Sequence, residues 1–507
     1  MAPSRIRRFA AIMVAGALLT AGCGNASSSS TDPSQGASAM PSGTLFYADV
    51  NLDQGSSAWK QFTAVGQRFP GWQKLAGKVV KSLNDTGQTS GSLTFKDDVQ
   101  PWLGGSAAIG VTSLDASGGS AHYVAFLASS DDGKAKDAVA QDAKPDGDYS
   151  GYSLYADKQG GGEAAVGDGA VLVSDDSQTL HDAIDARDGK ADTLASDDAF
   201  SSAMAKLPAD SLVRGYVNTP KLAELAGLAA LGGAGGSGAA AQTQALAKTL
   251  DSIDSLSFAA WANGNGYRLT LRSTLKQGAA DQSPLAVAPS SLTDLVPGDA
   301  FAFLAFGDYG SYLKQGLDSG APGLGQQLKL LQQQTGISVQ HDLLPLLSGD
   351  GLFYTAPGVP VRAALVLKPD DPHAAALTMH KIFALVAQEQ PAARVTPLAS
   401  GSGEQVDLGG LPLSWRLTAD GLLAIGNDPA AGTVPSSPLA SSPAYADLLN
   451  QAQVPDGANV PLYLNLSDAL KLFPISVDPN LAHVGGVLAW SSRSGQDTSA
   501  DLFVQVK

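Results

Sequence analysis

Five adjacent aspartate pairs, beginning at Asp97, Asp131, Asp175, Asp197 and Asp370, are the densest clusters of candidate oxygen ligands in the chain. Ca²⁺ needs six to eight such oxygens, and none of the pairs lies in the spaced ligand loop of an EF-hand. Most of them precede a helical pattern such as Asp132-Gly-Lys-Ala-Lys-Asp-Ala-Val139. There a carboxylate caps free N–H groups and meets the positive end of the helix dipole, so capping is the expected role. The six histidines are scattered, and only His373 and His380 share an expected helix. Seven residues separate them by about 10.5 Å along its axis, too far for one metal to bridge. The stripe Met379, Ile382, Phe383 and Val386 on that helix reads as core. No Gly-x-Ser-x-Gly elbow, His-Glu-x-x-His pair or complete phosphate loop is present: in Gly71–Lys78 the glycines are one residue too far apart, and Val79 stands where a hydroxyl is needed. Gly233-Ala-Gly-Gly-Ser-Gly238 has the spacing of a dinucleotide fingerprint but follows a helical run, Lys221–Leu231, inside an Ala/Gly/Leu/Ser tract. It reads as a low-complexity loop. The sequence assigns no catalytic, cofactor-binding or metal-binding residue, although a Ser/His/Asp triad of distant members leaves no linear signature.

One residue does carry an expected modification. Residues 1–22 hold a basic stretch ending at Arg8 and the apolar run Phe9–Gly22, followed by Cys23, the single cysteine of the chain. This is the layout of a secretion signal, and fourteen apolar residues span about 21 Å, short of the roughly 30 Å hydrocarbon core. Leu19-Thr-Ala-Gly-Cys23 resembles the bacterial lipobox, with Thr20 at the position where Leu is usual. That resemblance implies cleavage before Cys23 and a diacylglycerol on its thiol, hence an extracytoplasmic protein held to the cell membrane. With no second cysteine there is no intramolecular disulfide, and the fold must rest on packing. The Arg7-Arg8 pair leaves both general secretion and twin-arginine export open. Residues 23–43, rich in Ser, Gly and Ala, read as a disordered tether of about 25 Å r.m.s. span.

The elements behind the tether follow from composition and repetition. The 507 residues are 44% hydrophobic and 16% charged, enough apolar material for large cores. Net charge is −16, and loss of Arg5, Arg7 and Arg8 with the leader leaves 29 basic against 48 acidic residues. Such a surface excludes nucleic acid as a partner. Asp98-Val-Gln-Pro-Trp-Leu-Gly-Gly105 returns 244 residues later as Asp342-Leu-Leu-Pro-Leu-Leu-Ser-Gly349, each led by an expected short strand ending at Phe95 or Val339. Asp168-Gly-Ala-Val-Leu-Val173 matches Asp420-Gly-Leu-Leu-Ala-Ile425, Leu194–Phe200 matches Leu439–Tyr445, and Ser257–Trp261 matches Val487–Trp490. Within the copies, turns at Pro41, Pro208, Pro297 and Pro455 each lead into a β-rich run, three of which end in Asn51, Asn218 and Asn465. Asparagine there suits the N-cap of a following helix.

The expected fold is α+β: two sequence-related halves, 44–276 and 291–507 joined by a linker at 277–290, each a largely antiparallel sheet with helices packed on one face. Strands are read at Leu45–Val50, Ala107–Val111, His122–Leu127, Ala170–Val173 and Tyr267–Leu271 in the first copy, in the order strand, helix, turn motif, two strands, helix, two strands, helix, strand, helix, strand. Leu45-Phe-Tyr-Ala-Asp-Val-Asn51, Phe69-Pro-Gly-Trp72 and Asp98-Val-Gln-Pro-Trp-Leu-Gly104 resemble an uncharacterised bacterial envelope family, domain of unknown function 3352, over roughly Pro41–Lys507. The resemblance implies export, frequent anchoring and two similar halves, and no catalytic residues.

Three functional readings follow, in this order: a non-catalytic anchored module binding an envelope protein or wall component, a carrier of a lipid or other apolar ligand, and an envelope hydrolase. No cofactor is implied. Cys23→Ala is expected to release the protein into the medium. Retention in the membrane without an acyl-modified N-terminal peptide in mass spectra would refute the anchor.

Overall fold

The computed structural model describes residues 34–72, 74, 95–114, 121–158, 161–231, 244, 247–278, 290–311, 314, 330, 332–390, 393–472 and 478–507. The leader, Cys23, Gly233–Gly238 and most of the 277–290 linker lie outside them. Two compact units divide the chain: Met1–Ala229 with Ala247–Ser283 and Gly495–Ser499, and Ala230–Leu246 with Pro284–Ser494 and Ala500–Lys507.

Unit one places ten described strands in one antiparallel order. They are β1 (Phe46–Asn51), β2 (Leu103–Leu114), β3 (Ala121–Ser129), β4 (Ala143–Tyr149), β5 (Tyr152–Asp157), β6 (Glu163–Gly167), β7 (Ala170–Ser174), β8 (Val213–Val217), β9 (Ile253–Ala262) and β10 (Gly266–Leu275). Pairing runs β4-β5-β6-β7-β3-β2-β1-β8-β9-β10. Two-residue turns close the outer hairpins, Ser150-Gly151 between β4 and β5 and Asp168-Gly169 between β6 and β7, with all four residues at positive φ. That backbone matches the strand twist and explains the Asp-Gly seen in the sequence.

Unit two has β11 (Ala302–Phe306), β12 (Gly351–Ala356), β13 (Arg362–Leu367), β14 (Val395–Pro397), β15 (Gly403–Asp407), β16 (Pro412–Leu417), β17 (Leu423–Gly426), β18 (Asn459–Asn465), β19 (Val484–Ser494) and, from Ala500 onward, β20 (Asp497–Val506). They pair in the order β14-β15-β16-β17-β13-β12-β11-β18-β19-β20, position for position the order of unit one. Short 3₁₀ turns at Leu194–Ser196 and Leu439–Ser441 bury their leucines and donate the same kind of hydrogen bond, Leu194 N–H to Met40 O and Leu439 N–H to Val296 O. Those two segments are the Leu-Ala-Ser matches of the sequence.

The helices start where carboxylates and hydroxyls expect them. In unit one, α1 (Ser57–Gly66) is capped by Ser56, α2 (Asp132–Asp142) by Asp131, α3 (Ser177–Arg187) by Asp176 and α4 (Asp198–Ala205) by Asp197, each side-chain oxygen accepting a first-turn N–H. Asn218 receives Lys221 N–H at the start of α5 (Thr219–Leu231). In unit two, Asp371 caps α6 (Pro372–Glu389), which has proline at its first position, and α7 (Pro443–Ala452) starts the same way. Asn465 receives Asp468 N–H in α8 (Leu466–Leu472). Asn51 instead closes a turn on Asp53 N–H, and the helix begins six residues after it, at Ser57.

Helices cover both faces of each sheet, not the one face expected. Ala125 and Leu127 of β3 and Val171 and Val173 of β7 pack with Ala135, Ala138 and Val139 of α2. The alternate residues, Val124, Phe126, Ala170 and Leu172, pack with Leu180, Ala183 and Ile184 of α3 and Phe200 and Ala203 of α4. A strand buried on both sides needs a continuous apolar run, and Ala170–Val173 has one. In unit two α6 packs against Leu367 and Leu423, while α7 shares a core with Val366 and Ala424 on the other side.

Three further expectations are corrected. Residues 34–43 are not tether: Ser34–Ser38 is helical, and Ala37, Ala39 and Met40 are buried at 1%, 0% and 0% exposure against Tyr47, Ala108 and Phe126. Small side chains that look solvated in sequence are what close approach to a sheet requires. The residues heading the repeated motif, Phe95 and Val339, belong not to strands but to single π-helical turns, Phe95–Val99 and Val339–Leu343. Where the sequence suggested two strands between helices there are four, because the edge strand Ala-Lys-Pro-Asp-Gly-Asp-Tyr149 pairs on one side only and needs no apolar alternation.

Trp102, with no exposed surface, seals this arrangement: its indole N–H donates to Asp98 O at 2.6 Å, and its carbonyl accepts from Ser130 N–H and Oγ–H. Trp102→Ala should lower unit-one stability by about 3–5 kcal/mol in denaturant titration. A loss below about 1 kcal/mol would show that the turn holds without it.

Candidate functional site

The repeated aspartate motif is a tie between a turn and a helix. Asp98 Oδ1 accepts from Gln141 Nε2 of α2 at 3.2 Å, and Asp342 Oδ1 accepts from Lys381 Nζ of α6 at 2.7 Å. Counting from the caps Asp131 and Asp371, Gln141 and Lys381 hold the same helical position. Burial pushes the Asp342 carboxyl up, but the Lys381 ammonium and the Ser338 N–H outweigh it and hold the group below its ordinary value. Stabilisation from this pair is therefore present above pH 3.8 and lost as pH falls through the depressed native value.

A second polar cluster lies inside unit one. Arg214 Nη2 meets Asp49 Oδ2 at 3.1 Å, both largely buried, and burial raises the Asp49 carboxyl against the opposing pull of Arg214. The adjoining cavity, about 40 Å³ and lined by Ser106, Asn51 and Ser211, suits a water molecule and little more.

In unit two a groove of about 780 Å³ opens between α6 and the β14–β16 hairpins. Its helical wall is His373, Ala376, Leu377 and His380, spaced i, i+3, i+4, i+7 and so forming one stripe. The neighbouring stripe, Ala375, Met379 and Phe383, is buried in the core, as the sequence suggested for Met379 and Phe383. The opposite wall is Pro397, Gly401–Glu404, Trp415, Leu417 and Thr418. The two histidines that share a helix thus share a groove. Among the described residues, no group of three His, Cys, Asp or Glu could hold a metal ion.

Glu404 organises the groove. It is on β15 opposite Trp415 on β16, and its side chain is 15% exposed. One carboxylate oxygen accepts Trp415 Nε1–H at 3.1 Å, and the other accepts His380 Nδ1–H at 2.7 Å. Both carboxylate oxygens are engaged, and a neutral imidazole so held has Nε2 as its lone-pair acceptor.

Register shows that unit one has no such group. Phe126 and Val366 each precede their helix cap by five residues, and Phe126 lies opposite Leu172, then Ala165, then Leu154. Val366 lies opposite Ala424, then Arg416, then Gly403. One residue further along, Tyr155 and Ala164 of unit one correspond to Glu404 and Trp415 of unit two. The aromatic ring has changed strands, and a carboxylate stands where the phenol ring filled the core. Position 380 corresponds to Ala140. Sequence reading found His373 and His380 but not Glu404 or Trp415, since cross-strand register is absent from a linear motif.

Lys381→Met should lower unit-two stability at neutral pH, with the difference from wild type shrinking below pH 3.8. A difference independent of pH between 3 and 7 in thermal melts would mean the carboxylate is not the partner that matters.

No described helix is long and apolar enough to cross a membrane. No curated protein matches the chain. Crystal forms I and III of TP0453 align at 10% identity over 50% and 49% of this chain and 82% of theirs, with TM-scores of 0.26 and 0.25, a likeness too slight to carry an argument. The protein family of unknown function DUF3352 matches residues 8–404, most of the chain and part of both units, and the chain belongs to that family.

Proposed function

We propose that this chain is an extracytoplasmic lipoprotein, anchored through Cys23, that acts as a non-catalytic binding module through the α6 groove of unit two. The observation that carries the reading is the replacement of Tyr155 and Ala140 by Glu404 and His380 at corresponding positions of two sheets with one strand order. A core tyrosine needs no successor of this kind for folding. A carboxylate that fixes an imidazole at the wall of an open groove is a feature of recognition. The volume lies within the range of small-molecule sites, and the walls are mainly apolar with few polar groups. This supports a ligand with apolar surface, and so joins the binding reading to the carrier reading. The basic and apolar leader and the lipobox-like Leu19–Cys23 support a groove that works outside the cytoplasm.

Native mass spectrometry of the Cys23→Ala chain purified from its own host, beside the same chain carrying Ala376→Trp to fill the groove, tests the reading. A bound mass on the first and not on the second is expected. No adduct on either, or the same adduct on both, would overturn the groove as the binding site.

A further inference from the structure

Resting on that reading, we propose the chemical class of the ligand: an uncharged molecule with an apolar body and one hydrogen-bond donor, received by His380 Nε2. Three observations converge. First, Glu404 Oε1 lies 2.7 Å from His380 Nδ1 and accepts its N–H while the other oxygen accepts from the Trp415 indole, so in the neutral imidazole the free acceptor is Nε2. The imidazole is 65% exposed, so Nε2 is reachable. Secondly, Ala376, Leu377, Pro397, Trp415 and Leu417 give the groove apolar contact surface, and Leu377 is 54% exposed. A half-exposed leucine on a groove wall gains from being covered. Thirdly, no lysine or arginine is among the described residues that line the groove: Lys381, which follows His380, is paired with Asp342, and Arg416, between Trp415 and Leu417, is held on the Ala431 carbonyl, while Asp420 follows the lining residue Ala419 in a chain of net charge −16. An anionic headgroup would meet an acidic chain and, among the described lining residues, no lysine or arginine free to pair with it. A donor that is neutral suits the acceptor without needing a counter-charge.

The test uses the soluble Cys23→Ala chain and three probes of equal length: 1-decanol, decyl methyl ether and decanoate. Binding is read from tryptophan fluorescence, with Trp415→Phe as the assignment control. Decanol is expected to bind about threefold to tenfold more tightly than the ether, the contribution of one hydrogen bond, and decanoate most weakly. His380→Phe keeps the ring and removes the acceptor, and should bring the ratio of decanol to ether close to one while ether affinity is retained. Long-range ¹H–¹⁵N spectra should show the Nδ1–H tautomer of His380 in wild type and its loss in Glu404→Gln. Equal affinity for decanol and ether in wild type, tighter decanoate, or an Nε2–H tautomer would overturn the ligand class while leaving the groove. Failure of all three probes also overturns it. The groove itself is judged separately by the Ala376→Trp mass comparison.

Discussion

Burial of the central strands on both faces is the constraint from which the rest of each unit follows. β3 and β7, and β13 and β17, have helix or core on either side, so their middles carry no charge and little bulk variation, and Arg362 stands at the end of β13, paired with Asp299 and Asp428. Their hydrogen bonds are all taken by neighbours, and their side chains alternate between two separate cores. Around these strands charge stands at strand ends, caps and outer hairpins, and the buried pair Asp49–Arg214 joins β1 to β8 instead. The Asp98 and Asp342 ties, the caps at Asp131 and Asp371, and the Glu404 site all lie just beyond this dry centre.

That displacement explains why one site arises where it does. The outer hairpin of each sheet is packed by a single helix on the α2 or α6 face, so its residues meet less demanding neighbours than those of β3 or β13. A tyrosine at position 155 and a glutamate at position 404 are both accommodated, because the facing strand adjusts from Ala164 to Trp415 and conserves the aromatic bulk. Trp415 is 6% exposed and completes the core that Tyr155 completes in unit one. The carboxylate is therefore held by the residue that compensates for it.

Much of the architecture was legible because the repeats fall on structural joints. Asp168-Gly169 is a hairpin turn, Leu194-Ala-Ser196 a 3₁₀ turn, and Asp98 a helix tie. Short-range chemistry leaves strong linear signals of this kind. The two-sided burial could have been read from the unbroken Ala170–Val173 run, which carries the composition of a strand without a wet face. Residues 34–43 and β4 were illegible for the opposite reason. Ala37, Ala39 and Met40 are buried by close approach to a sheet that does not exist until residue 46 onward has folded, and Ala143–Tyr149 is polar because it pairs on one side. Of the groove, the His373 and His380 pair was visible by helical spacing. Glu404 was not, since its meaning depends on a strand register set by three other strands.

Unit two also lacks a counterpart of α3. After β17 the chain runs through Asn427–Pro438 without a helix, and the corresponding residues of the hairpin face are Gly403 and Arg416 in place of Leu154 and Ala165. Arg416 reaches the Ala431 carbonyl, so the loop is held by polar contacts where unit one uses an apolar layer. Units of structure held this way open locally at lower free energy than those with a packed layer. The β14–β16 region is accordingly the part of unit two whose amides should exchange soonest with solvent, and it forms one wall of the groove. Occupation of the groove would then be felt as slowed exchange across that wall, making the hairpin's breathing a reporter of ligand in a protein whose fixed contacts otherwise give none.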